Sequence, residues 1–519
     1  MRCISALIGL VATLVAGCAS QTASYHYAQK QIEQGDLGFH RSIRIDEYLN
    51  AFPQDWFKLG VGQEIALRID PLTTKTIQPS EMALYQVAVK TRMPSARDLS
   101  TPLALSFVID VSGSMNDDNK IVHTREALRN SLLELKDGDV VSLVIFNNEA
   151  RVVASSVTLS SASRATLVAQ VGALRADGGT NIESGLVVGY KEMAKFPAGN
   201  VKRLILLTDG QSNVGTVTPD QIAKEAAVRR IEGARISTIG LGIEVNEALL
   251  RRIAEAGQGH YYFAENAQTL TKILRDGLQT TVIPVAKDVT LEIELGEQFV
   301  IERIHGGGGP EDRAGKRSAR IALGEMNVND WRILVVELKR AGSAGSPGII
   351  HVAGQYASPG EAGAAGATHP ILQARPDAAA PAAGAEKRIN PFVLRNAVLY
   401  GNARALIEAG RLSEQKRYEE ALRIVDVQIN NNDVLASLDN SEMVRKERDN
   451  LSKVRTVIAA RLERSGDRTS AVVPRTSNPV ASGSSDGLRS FVAAGLRASA
   501  VALPGLWTTI AAVLAGVIE

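Results

Sequence analysis

The sequence predicts an α/β protein: a doubly wound, mostly parallel sheet inserted into a β-sandwich and followed by a small helical domain. Three observations carry this. Apolar runs "LALSFVID", "VVSLVIF", "RLILLTD" and "ISTIGLG" alternate with helical stretches between Leu103 and Thr281, the pattern of parallel strands buried on both faces. Strands of alternating polarity flank that block: "EIALRIDPL" and "MALYQVAVKTRM" before it, "KDVTLEIELG", "RSARIALG", "WRILVVELKR" and "GIIHVAGQYA" after it. One interrupted sandwich is a simpler reading of them than two unrelated β pieces. Helical periodicity then returns between Asn390 and Arg464.

The first 17 residues read as a signal peptide, with Arg2 followed by an apolar run from Ile4 to Ala16 that is too short to span a bilayer comfortably. It ends in Val15-Ala16-Gly17-Cys18, which resembles a bacterial lipobox. The resemblance implies that Cys18 becomes the lipid-bearing first residue of the mature chain. Cleavage there removes Cys3, so no disulfide is expected. Ala19, where an aspartate would signal retention, implies an outer-membrane lipoprotein, with an inner-membrane-anchored periplasmic protein as the alternative.

Residues 18–60 form a polar N-terminal segment in which Ile43, Ile45, Tyr48, Leu49 and Phe52 fit one helical face. The first part of the sandwich is read at 61–97 and the α/β domain at 98–283. In the latter, helices are expected at Lys120–Lys136, Asn181–Lys195, Pro219–Glu232 and Asn246–Ala256, and "ARVVASSVTLS" suits an antiparallel edge strand. The second sandwich part occupies 284–357, and the Ala/Gly/Pro-rich stretch 358–386 reads as a flexible linker. Within 387–464, "ALIEAGRLSEQKRYEEALRIVDVQI" resembles a tetratricopeptide-type hairpin with Ala405, Leu406, Tyr418, Ala421 and Leu422 packing. A single such unit is a small helical domain rather than an array. A second linker, 465–486, leads to an apolar segment at 487–519. Its uncharged stretch Ala498–Ile518 is long enough to span a membrane, yet it is Ala-rich and contains Pro504-Gly505. A tail anchor, a membrane-surface helix and a packed helix all remain open.

Composition narrows the function classes. The 58 basic and 56 acidic residues leave a net charge of +2, and no basic stripe with interleaved aromatics suggests nucleic acid. With seven histidines and two cysteines, a Cys/His zinc site is close to excluded. "GGGGP" after His305 lacks the ending of a P-loop, "GLGIEV" at Gly240 lacks a dinucleotide fingerprint's third glycine, and neither GxSxG nor HExxH occurs. His123 and His260 lack a matching nucleophile and read as surface or packing residues. The pair Asp117-Asp118 reads as solvated loop.

The chemistry gathers at strand ends. The first strand of the block ends in Asp110-Val111-Ser112-Gly113-Ser114, "ADGGTN" places Thr180 in a glycine-bracketed loop, and "LILLTDG" puts Asp209 at another strand end. Ligands of open α/β sheets bind at such carboxyl ends. Two carboxylates and three hydroxyls make an all-oxygen site for a hard divalent cation, Mg²⁺ first and Mn²⁺ or Ca²⁺ as alternatives. If these groups do not fill the metal's shell, a position stays open for an oxygen from outside.

The DxSxS turn, the threonine of "GGT" and the aspartate of "TDG" resemble the metal-ion-dependent adhesion site of von Willebrand factor type A (VWA) domains, a Rossmann-like family, over roughly residues 95–283. The resemblance implies Asp110, Ser112, Ser114, Thr180 and Asp209 as metal ligands, and a protein partner donating an Asp or Glu carboxylate to the metal. Together with the lipobox, the chain is similar to bacterial envelope VWA lipoproteins, held to a membrane through Cys18. A non-enzymatic binding protein is the expectation. The alternatives are a metal-dependent hydrolase, which lacks an evident general base, and a channel- or transporter-associated subunit, which rests on the C-terminal apolar segment alone.

Overall fold

The computed structural model describes residues 23–465 except 53–57, 73–81, 225–233, 280–282, 307–313, 342–349, 360–367, 375–390, 439–441 and a few isolated positions between 96 and 243. The expected signal peptide with Cys18, the second linker, the C-terminal apolar segment and most of the helix expected at Pro219–Glu232 lie outside the described residues. Among the described residues no helix is long and apolar enough to cross a membrane.

Two helices, α1 (Ala23–Glu33) and α2 (Ile45–Asn50), precede strands β1 (Ile65–Pro71) and β2 (Met82–Thr91). The alternating block follows as β3 (Leu103–Asp110), α3 (Lys120–Glu134), β4 (Val140–Phe146), β5 (Ala150–Thr158), α4 (Ser161–Gly172) and α5 (Ile182–Met193). It continues as β6 (Val201–Thr208), β7 (Arg235–Leu241), α6 (Glu247–Ala256), β8 (Gln258–Ala264) and α7 (Ala267–Gln279). Strands β9 (Pro284–Leu295), β10 (Phe299–His305), β11 (Ser318–Asn327), β12 (Trp331–Arg340), β13 (Ile350–Ala357) and β14 (Thr368–Ala374) come next. Helices α8 (Pro391–Glu414), α9 (Tyr418–Leu438) and α10 (Glu442–Ser465) close the described chain. Among the described residues the chain divides into two compact units, one holding 91–285 and 325–330, the other 24–90, 286–324 and 331–465.

In the first unit the sheet order is β5-β4-β3-β6-β7-β8. All neighbours run parallel except β5, which pairs antiparallel with β4 at the edge, as the sequence predicted. Every residue of β3 and β4 is buried, which explains their unbroken apolar runs. Since β4 lies on one side of β3 and β6 on the other, the winding reverses beside β3, and the crevice at the β3 and β6 carboxyl ends is where such sheets bind ligands. Helix α5 lies hard against the sheet. A Cβ on Gly189 would sit 2.5 Å from Val108, and one on Gly185 would sit 2.8 Å from the Phe146 ring. At the start of α5, Asn181 caps the helix by accepting the Ser184 N–H at 3.0 Å.

The second unit holds two four-stranded sheets, β1-β2-β12-β10 and β11-β9-β13-β14. Strand β2, from before the α/β block, pairs antiparallel with β12 from after it, which is the insertion the sequence predicted. The central strands bury both faces. Leu84, Ala88, Ile333 and Val335 join the helical core, while Val87, Val89, Leu334 and Val336 are buried on the opposite face. The helices read as a separate domain share one hydrophobic core with this sheet and with Ile43, Ile45, Tyr48, Leu49 and Phe52 of the N-terminal segment. Three helices leave apolar faces that they cannot cover alone, so the surrounding elements cover them. A second correction concerns the linker expected at 358–386: it contains β14, which pairs with β13 as an edge strand. Its short sequence "THPILQA" carries little periodicity, and its place comes from the neighbouring backbone.

Buried carboxylates tie this unit together. Glu447 on α10 accepts hydrogen bonds from the hydroxyls of Tyr25 and Tyr48 on the N-terminal helices. Glu337 on β12 has His305 Nε2 at 2.5 Å, a hydrogen bond from the Tyr400 hydroxyl and Arg404 at 3.7 Å. Burial alone would raise the Glu337 carboxyl, but hydrogen bonds from His305 and Tyr400 and the charges of His305 and Arg404 outweigh it and hold it at about 2.

Two predictions follow from this packing. Gly189→Ala should lower stability by about 1–3 kcal/mol in urea unfolding, because the added methyl has no room against Val108; an unchanged midpoint would mean that α5 shifts freely. Glu337, depressed below its ordinary value of 4.5, stabilises the fold at pH above that value and loses the contribution as pH falls towards about 2. Glu337→Gln should therefore be less stable at neutral pH, by about 2–3 kcal/mol, and should lose less stability than the wild type between those two pH values. Equal acid slopes would contradict the network.

Candidate metal centre

Strand β3 delivers Asp110 to the sheet edge fully buried, and the chain turns at once through Ser112, Gly113 and Ser114. Asp110 Oδ1 accepts the Ser112 N–H at 2.8 Å, and the Ser112 and Ser114 hydroxyl oxygens lie 3.2 Å apart. Gly113 is not at positive φ. Its missing Cβ serves a close approach: its N–H donates to Gly178 O at 2.9 Å, where a Cβ would come within 3.3 Å of that oxygen.

This contact joins the first loop to the second. Asp177 N also donates to Val111 O at 2.7 Å, which draws the "ADGGT" stretch beside the DxSxS turn. Thr180 is buried at the end of that stretch. Its N–H donates to Asn213 Oδ1 at 2.8 Å, and its carbonyl accepts from the N–H groups of Asn213 and Val214 at 3.1 Å, so the third loop is fastened to the second. Asp209 follows β6 and is also buried. Gly210, at φ +74°, turns the chain immediately after it, and a Cβ there would come 3.0 Å from Asn246 N.

The three loops carrying Asp110, Ser112, Ser114, Thr180 and Asp209 therefore meet at one sheet edge, with the contacts between them made largely by backbone. Two further residues act there that sequence reasoning missed. The Thr208 hydroxyl donates to Asp110 Oδ2 at 2.5 Å and accepts the Gly210 N–H at 2.9 Å, linking the ends of β3 and β6. Lys120, the first residue of α3, places Nζ 3.2 Å from Asp209 Oδ2. Thr208 stood in the sequence as the residue before Asp209 in "LLTDG", while Lys120 looked like an ordinary polar residue at a helix start.

The electrostatics suit a cation. Burial pushes the Asp110 carboxyl up to about 6, against hydrogen bonds from Ser112 and Thr208 that pull it down, and the nearby Asp209 charge adds to the rise. A buried carboxylate so destabilised is stabilised by a divalent ion beside it. Carboxylate and hydroxyl oxygens fit a hard cation. Among the described residues no cluster of three His, Cys, Asp or Glu side chains is arranged to hold a metal.

Residues 105–276 match the von Willebrand factor type A domain family. The α/β unit is a VWA domain. Domains of this family mediate protein–protein interactions, and many bind a divalent metal. The chain is 30% identical over 290 residues to the uncharacterized protein YfbK of Escherichia coli (strain K12), a match covering 54% of this chain and 50% of that protein. It is 32% identical over 200 residues to the inter-alpha-trypsin inhibitor heavy chain H4 of Homo sapiens, covering 37% of this chain and 21% of that protein. The match thus spans half or less of these relatives' length. A solved structure, the von Willebrand factor type A protein from Catenulispora acidiphila, is 16% identical and covers 77% of this chain and 98% of its own, with a TM-score of 0.49.

Thr208→Val removes the donor to Asp110 and the acceptor of the Gly210 N–H while keeping the side-chain volume. The expected loss is about 1–3 kcal/mol in metal-free thermal unfolding; a variant as stable as the wild type would show that Asp110 does not rely on that hydroxyl.

Proposed function

We propose that the protein is a cell-envelope lipoprotein whose VWA domain binds a protein partner through a divalent cation, with Mg²⁺ as the first candidate and Mn²⁺ or Ca²⁺ as alternatives. The observation that carries this reading is the convergence of Asp110, Ser112, Ser114, Thr180 and Asp209 on loops fastened to one another at the winding reversal of the sheet. When bound, the ion would supply a Lewis-acidic position for an Asp or Glu carboxylate of the partner. The chain's own part is to hold the oxygens in place: Thr208 orients Asp110, Asn213 fixes the Thr180 loop, Gly113 lets the first loop approach the second, and Gly210 turns the chain after Asp209.

The reading is of a binding protein rather than an enzyme. Both carboxylates of the centre are assigned to the cation, which leaves neither as a general base. Anchoring through Cys18 to the outer membrane belongs to the same proposal and rests on the lipobox sequence.

The test is calorimetric titration of Mg²⁺ and Mn²⁺ into the wild type and Asp110→Ala, together with partner capture from envelope extracts in Mg²⁺ and in EDTA. Asp110→Ala should lose at least about a hundredfold in metal affinity, roughly 3 kcal/mol, and should capture no partner while keeping its fold. A partner held equally well in EDTA would refute binding through the metal. Palmitate labelling abolished by Cys18→Ala would support the anchor, and unchanged labelling would refute it.

A further inference from the structure

Lys120 sits where local physics opposes it. It opens α3 directly after Asp118 and Asn119, two non-glycine residues at φ 49° and 56°, in the left-handed region. Asn119 makes no side-chain capping bond, although asparagine at a helix start is well suited to one. The N-terminal end of a helix carries partial positive charge, which repels an ammonium placed there. The side chain is nonetheless only 7% exposed. Its aliphatic stem runs along Gly242, which lies at φ +76° and where a Cβ would come within 3.0 Å of Lys120 Cε.

What offsets these costs is Asp209. Lys120 Nζ lies 3.2 Å from Asp209 Oδ2, and the aspartate is 1% exposed. Removing one partner of such a buried pair takes the main opposite charge from the other. Asp110, whose charge is felt at Asp209, has hydrogen-bond donors around it, while the ammonium stands at Asp209. The strained turn before α3 therefore delivers a positive charge to one of the two carboxylates of the centre.

We infer that Lys120 is a resident counter-cation: it neutralises Asp209 when no divalent ion is bound, keeping the metal-free VWA domain folded, and it lowers the affinity for the ion by competing for the same carboxylate. The inference rests on the metal-binding reading of the centre. The competition is reciprocal, since whatever factor the lysine takes from metal affinity, the metal takes from the Lys120–Asp209 pair. The centre thus carries one net negative charge in the metal-free state instead of two, and it releases its ion more readily than the five oxygen ligands alone would allow.

The experiment uses the full chain and three variants, Lys120→Met, Asp209→Asn and the double variant. Each is melted in EDTA and titrated calorimetrically with Mn²⁺. In EDTA each single variant should melt several degrees below the wild type, and the double variant should recover most of the loss, because neither charge is then left buried without its opposite. Lys120→Met should bind Mn²⁺ at least about tenfold more tightly than the wild type, and its melting temperature should rise further on adding the metal. Single losses that simply add in the double variant would overturn the pairing. Unchanged or weaker Mn²⁺ binding by Lys120→Met would overturn the competition. If the wild type binds no divalent ion, the proposed function and the competition fall together, while the cycle in EDTA still upholds or overturns Lys120 as the counter-ion of Asp209. The double variant also keeps the test decisive should Lys120→Met alone fail to fold.

Discussion

Two carboxylates, Asp110 and Asp209, are buried at the ends of adjacent parallel strands, and the surrounding loops are arranged around the need to compensate them. A carboxylate removed from water without partners is costly. Here the compensation is spread over the Ser112 N–H, the Thr208 hydroxyl and the Lys120 ammonium. None of these groups lies far from a strand end, because the doubly wound sheet brings its loops together where the winding reverses. The rigidity of that edge comes from below it. Fully buried β3 and β4, and α5 seated on the sheet through its glycines, leave the loops a firm base.

A centre built this way differs from a simple cage of ligands. The loops are held mainly by backbone hydrogen bonds among Gly113, Gly178, Thr180, Asn213 and Val214. Of the side chains that would touch a cation, Asp110 also helps to hold the loops, through the Ser112 N–H and the Thr208 hydroxyl. Such a division gives a preorganised first set of oxygens supported by a second set of contacts, which is what ligand geometry requires. The other unit follows the same logic with a different purpose. Glu337 and Glu447 are buried among tyrosines, asparagines and basic groups, and they join the sheet and helices into one core.

Much of this was legible in the sequence, for a local reason. Strand burial on both faces writes itself as unbroken apolar runs, and the half-exposed edge strand β5 as a more polar stretch beside them, so the sheet and its antiparallel edge could be read directly. The helical face of Ile43, Ile45, Tyr48, Leu49 and Phe52 was equally plain, though its partners were not. The strand β14 escaped because it sits in an Ala/Gly/Pro-rich stretch whose composition resembles a linker and whose strand character comes from pairing with β13. The helices after residue 390 looked self-contained because nothing local reveals which distant sheet covers their exposed faces.

The sequence by itself determined the layered α/β block, the strands either side of it, and the oxygen-bearing residues at the strand ends, since each follows from periodicity or from turn chemistry within a few residues. Only the tertiary structure decided how the buried charges are balanced. Lys120 and Asp209 stand 89 residues apart, and Thr208 reaches Asp110 across 98. Pairings of that span depend on which strand ends become neighbours and how deeply they are buried, and burial turns an ordinary lysine at a helix start into the counter-charge of the centre.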